Sequence, residues 1–62
     1  MKKMMVYANG KTYFDLGNIG IFPSIPPTEE YDISNLTQDE IDILKINPNN
    51  SLLKKKIKKI NG

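Results

Sequence analysis

The apolar positions fall into three groups, and each group has its own spacing. Residues 4–8 and 12–16 are rich in β-formers and flank the dipeptide Asn9-Gly10. Asn-Gly between two such runs is a strong hairpin signal, because both residues tolerate the positive φ of a type I′ turn. A two-residue loop predicts a β-hairpin over about residues 3–16. It sets Ala8 opposite Lys11, Tyr7 opposite Thr12, Val6 opposite Tyr13 and Met5 opposite Phe14. Met4, Val6, Ala8, Lys11, Tyr13 and Asp15 then share one face, and Lys3, Met5, Tyr7, Thr12, Phe14 and Leu16 the other. Neither face is polar, so the hairpin needs cover on both sides.

Residues 17–32 predict an extended, proline-containing arm. Gly17, Gly20, Pro23, Pro26 and Pro27 rule out a helix and break any long strand. Residues before proline are pushed to extended geometry, which applies to Phe22, Ile25 and Pro26. Ile19, Ile21, Phe22 and Ile25 are more apolar than a solvated linker requires. The arm therefore lies on a surface, its own hairpin's or a neighbour's. The acidic run Thr28-Glu29-Glu30-Tyr31-Asp32 reads as a solvated loop with Tyr31 tucked in.

A helix is predicted at Gln38–Ile46. Thr37 and Glu40 have capping-box spacing, and Leu36 and Ile41 are placed for a hydrophobic staple. Pro48 requires it to stop by Asn47. Ile41 and Leu44 share one face, while Ile43 and Ile46 lie on nearly the opposite one. Two apolar stripes imply contacts on two sides. After the turn Asn47-Pro48-Asn49-Asn50, a second helix is predicted over about residues 51–60, with Leu53, Ile57 and Ile60 on one stripe. Lys54, Lys55, Lys58 and Lys59 cover its far side. The expected fold is an α+β mini-domain: one small domain over residues 1–62, with 51–62 as a basic helix or tail.

Charge sharpens this picture. Residues 1–11 hold three lysines and no acid, residues 12–42 seven acids and no base, and residues 43–62 six lysines and no acid. Either the basic ends fold onto the acidic middle, or like protomers meet head to tail in a homo-oligomer. Every base is Lys, which counts against the bidentate contacts of specific nucleic-acid readout. At 62 residues a single core is marginal, and with no Cys and no His the usual staples are missing. Association is the remaining device.

Catalytic chemistry is not expected. There is no His base, no Cys nucleophile and no Gly-rich phosphate loop. The spacing of Glu29, Glu30 and Asp32 matches no calcium loop, and no metal or cofactor is expected. Pro23-Ser24-Ile25-Pro26 fits P-x-x-P, but a structural arm accounts for it better. Asn35-Leu36-Thr37 and Asn49-Asn50-Ser51 have the N-glycosylation spacing without a secretion signal beside them. No stretch approaches the ~20 apolar residues that cross a bilayer. The lysine-rich segment suits nucleic-acid phosphates or an anionic membrane surface through Lys54, Lys55, Lys58 and Lys59, although a solvated face backed by an apolar stripe explains it more simply.

The hairpin Val6-Tyr7-Ala8-Asn9-Gly10-Lys11-Thr12-Tyr13, the proline-rich arm and the capped segment Leu36-Thr37-Gln38-Asp39-Glu40-Ile41 together resemble the small accessory virion proteins of tailed phages. The resemblance implies a structural, non-enzymatic role in a capsid, head–tail junction or tail, with a virion location. Independently of the resemblance, the apolar arm and the two-striped helix place the expected contacts to larger subunits at Ile19, Ile21, Phe22 and Ile25 on the arm and at Ile43 and Ile46 on the helix. The alternatives are a small regulator of a host or defence protein in the bacterial cytoplasm, and a lysine-rich nucleic-acid-binding peptide.

Overall fold

The computed structural model describes residues 2–17 and 20–61. In chain order the elements are β1 (Lys3–Val6), β2 (Thr12–Asp15), β3 (Glu29–Asp32), α1 (Gln38–Ile46), α2 (Ser51–Lys56) and β4 (Lys58–Asn61). The strands form one antiparallel sheet in the order β2-β1-β3-β4. The chain is a small α+β domain with an N-terminal hairpin and two short helices, as its pattern predicts.

The hairpin forms where Asn9-Gly10 places it, but its register differs by one residue. Val6 faces Thr12, Met5 faces Tyr13, Met4 faces Phe14 and Lys3 faces Asp15. The reason lies in the turn. The Gly10 N–H donates to the Tyr7 carbonyl at 2.9 Å, and the Tyr7 N–H donates to the Lys11 carbonyl at 2.9 Å. Gly10 has φ +84°, whereas no non-glycine residue has positive φ. This is a three-residue loop, a turn followed by a left-handed bulge residue, in place of type I′. A one-residue slip exchanges the two faces of one strand. Phe14 and Leu16 therefore join Met4 and Val6, while Tyr13 joins Met5 and Tyr7.

The first face carries the core. Met4, Ile33, Leu36, Ile41, Leu44, Leu53 and Ile57 form one buried cluster, with Val6, Phe14, Leu16 and Tyr31 packed against it. Helix α1 starts as its local sequence dictates. The Glu40 N–H donates to Thr37 Oγ1 at 3.2 Å, and the Thr37 N–H donates back to Glu40 Oε1 at 3.0 Å. Its Ile41 and Leu44 side chains are fully buried in the cluster.

The second face is covered by the arm. Phe22 meets Tyr13 edge-on at 6.5 Å between centroids, and Tyr13 meets Tyr7 at 5.2 Å. Met5 and Tyr7 are buried on this side. The arm's surface is thus its own hairpin, at least at Phe22. The arm also makes a crossover, because β2 and β3 flank β1 and run parallel to each other. It leaves β2 through Gly17, at φ +85°, and is pinned at its far end, where the Thr28 N–H and hydroxyl both donate to the Val6 carbonyl.

Two strands were not expected. The arm stops short of residue 32, because Glu29–Asp32 is β3, which pairs with β1 along its whole length. The second helix does not reach residue 60. It ends at Lys56, where Asn35 Nδ2 donates to the last helical carbonyl at 2.7 Å and Ile57 turns extended. Residues 58–61 then form β4, which supplies partners for the outer edge of β3. Pairing across more than twenty-five residues outweighs the local helical spacing. Leu53 and Ile57 still reach the core, but Ile60 is exposed on the edge strand.

Replacing Leu44 by Ala should cost about 2–5 kcal/mol in urea unfolding, because it leaves a cavity in the core. Ile46→Ala, two residues along and exposed on the opposite face, should stay within about 0.5 kcal/mol. Gly10→Ala should cost about 1–2 kcal/mol from backbone strain, since a Cβ there meets no atom within 4 Å.

Candidate interaction surface

The two-striped pattern of α1 has a direct structural outcome. While Ile41 and Leu44 fill the core, Ile43 and Ile46 face outward, and Ile46 is 87% exposed. Across a shared groove from Ile43, Leu52 in the first turn of α2 is 72% exposed. Asn50 holds that turn in place, its Oδ1 accepting from the Leu52 and Leu53 N–H groups at 3.1 Å each. Between the helices lies a groove of about 330 Å³, lined by Glu40, Ile43, Asn50, Leu52, Leu53 and Lys56. Its rim is fixed by an ion pair, with Lys56 Nζ 2.5 Å from Glu40 Oε2. The result is an apolar strip with a polar border.

The arm residues divide. Ile21 is 96% exposed and Ile25 is largely exposed, whereas Phe22 is half-buried against Tyr13. Ile19 lies outside the described residues. The structure therefore brings Ile43 together with Leu52 at the groove, leaves Ile46 one turn further along the same stripe of α1, and places Ile21 and Ile25 on the separate arm. Nothing in the local pattern singles out Leu52, because its exposure depends on how α2 docks through Leu53.

The lysines are less available than their run suggests. Lys54 Nζ sits 4.2 Å from the centroid of the Tyr31 ring and donates to the Tyr31 hydroxyl at 3.2 Å. The Tyr31 hydroxyl in turn donates to Glu29 Oε2 at 2.9 Å, and Lys59 Nζ approaches the same oxygen at 3.1 Å. Lys55 and Lys58 are exposed and form no ion pair among the described residues. Of the acids, Glu29 lies on the helix side of the sheet, and Glu30 and Asp32 on the arm side, by strand alternation. The three do not converge, and among the described residues no acidic cluster is arranged to hold a metal ion.

These contacts shift the carboxyl groups. The hydrogen bond from Lys59 holds Glu29 below its ordinary 4.5, and the bond from Lys56 does the same for Glu40. The Ser34 hydroxyl and N–H hold Asp32 below 3.8. Lys3, hydrogen-bonded to Glu30 at 2.8 Å, is raised above 10.5.

No protein family, no curated protein and no solved structure matches this chain. No helix among the described residues is long and apolar enough to cross a membrane.

Lowered carboxyl values add stability that is complete above the unfolded pKa and lost as the pH falls through the folded one. The melting temperature should hold from neutrality to about pH 5 and drop below it. Lys59→Met should flatten part of that drop by releasing Glu29. Lys3 acts in the opposite sense: its contribution is present below its unfolded value of 10.5 and is lost as the pH rises through the raised one.

Proposed function

We propose that this chain is a non-enzymatic accessory subunit that docks on a larger protein of an assembly. A phage capsid, head–tail junction or tail is the setting that the sequence resemblance favours. The observation that carries the reading is the apolar strip of Ile43, Ile46 and Leu52, left uncovered beside a complete core. Burying each such side chain in a partner is worth about 1.5–3 kcal/mol, set against the cost of association. Ile21 and Ile25 on the arm offer a second point of attachment. Engagement of Lys54, Lys56 and Lys59 by Tyr31, Glu40 and Glu29 supports protein docking over phosphate binding.

The test is co-purification with virions from infected cells, using the full chain and the Ile46→Asp/Leu52→Asp variant. Stoichiometric incorporation, lost in the variant while its melting temperature stays within a few degrees, is the expected result. Equal incorporation of both proteins overturns the docking surface. Absence of the wild-type chain from particles, with capture of a host protein instead, points to a regulator.

A further inference from the structure

Strand β2 is an edge of the sheet, and its backbone shows how it would pair. Hydrogen-bonded and non-bonded pairs alternate along an antiparallel ladder. Starting from the Tyr7–Lys11 bond, the register makes Met5–Tyr13 and Lys3–Asp15 the bonded pairs. Tyr13 and Asp15 thus turn their N–H and C=O groups toward β1. Thr12 and Phe14 turn theirs outward, where no backbone partner is found among the described residues.

A second copy of the chain, running antiparallel, must set outward residues against outward residues. One register uses all of them. It pairs Thr12 with Phe14 of the second copy and Phe14 with its Thr12, for four hydrogen bonds, with Tyr13 on the twofold axis. Among registers confined to Thr12–Asp15 this one forms the most hydrogen bonds, and it sets Lys11 opposite Asp15 of the second copy, twice. Lys11 is exposed, and neither residue forms an ion pair among the described residues; the Asp15 carboxylate accepts the Gly17 N–H. Both lie at non-bonded positions, where cross-strand side chains approach most closely. On the same face, the Tyr13–Phe22 pair would meet its symmetry mate.

The other edge is built differently. Strand β4 carries Lys58 and Lys59, and its ladder shifts register between Glu30 and Tyr31. Lysines and bulges are the devices by which edge strands resist pairing. Thr12–Asp15 contains no lysine, no proline and no bulge.

We infer that β2 is a self-complementary edge through which two copies form a symmetric dimer with one continuous eight-stranded sheet. This goes beyond the docking role and does not rest on it. The decisive experiment is sedimentation of the full chain over a concentration series. Lys11→Asp and Asp15→Lys should each weaken the dimer by about tenfold or more, because two opposite-charge pairs become two like-charge pairs. Mixed one to one, the two variants should form a heterodimer of near wild-type affinity, and the double variant K11D/D15K should recover self-association. Thr12→Pro removes an outward donor without touching the β1 ladder and should yield a monomer with unchanged circular dichroism. If Asp15→Lys does not fold, because it loses the Gly17 contact, Lys11→Asp and Thr12→Pro decide the question. A wild-type monomer at every concentration overturns the inference. A dimer indifferent to Lys11→Asp and Thr12→Pro overturns it equally.

Discussion

Strand β1 carries a methionine on each face, and both are buried. A four-residue strand with two apolar faces cannot meet water on either side, and so it must be an inner strand of a covered sheet. The helices answer one face through Ile41, Leu44, Leu53 and Ile57. The arm answers the other, where Phe22, Tyr13 and Tyr7 follow one another edge to face. Proline and glycine suit the arm to this task, since a crossover with no room for a helix has to stay extended and thin. In 62 residues the chain thereby builds three layers.

The charge segregation serves the same end. An acidic strand, β3, lies between the lysine-bearing β1 and β4. All three ion pairs among the described residues, Lys3–Glu30, Lys56–Glu40 and Lys59–Glu29, join a basic end of the chain to its acidic middle. Each is exposed enough to be worth little by itself. The two that join strands, Lys3–Glu30 and Lys59–Glu29, make the pairings of β3 with β1 and β4 the ones in which unlike charges meet, and this favours the observed strand order.

What could be read from the sequence follows the range of the interactions concerned. Helix α1 was legible to the residue, because Thr37, Glu40 and Pro48 act within a few positions of its ends. The outward stripe of Ile43 and Ile46 was legible for the same reason. The hairpin could be placed but not aligned, because Asn9-Gly10 serves two turn types and both faces are apolar. β3 and β4 were hidden. Glu29-Glu30-Tyr31-Asp32 has no strand composition of its own and becomes a strand only between lysine-bearing neighbours. Ile57 and Ile60 keep a helical spacing that the chain does not use. Leu52, the third member of the exposed strip, depends on how α2 docks, and no local pattern encodes docking.

The turn at Gly10 has one more consequence. In most hairpins an error of one residue exposes a whole apolar face, and the penalty enforces the register. Here Tyr13 and Phe14 are both aromatic, and Met4 and Met5 are alike, so the slipped hairpin loses little by itself. The side chains of the hairpin hardly distinguish the two alignments. The turn at Gly10 selects one of them, and a helix layer that accepts Phe14 and a crossover that accepts the phenol of Tyr13 hold it in place. Alignment in this protein is thus set by the turn and secured by layers that arrive from elsewhere in the chain.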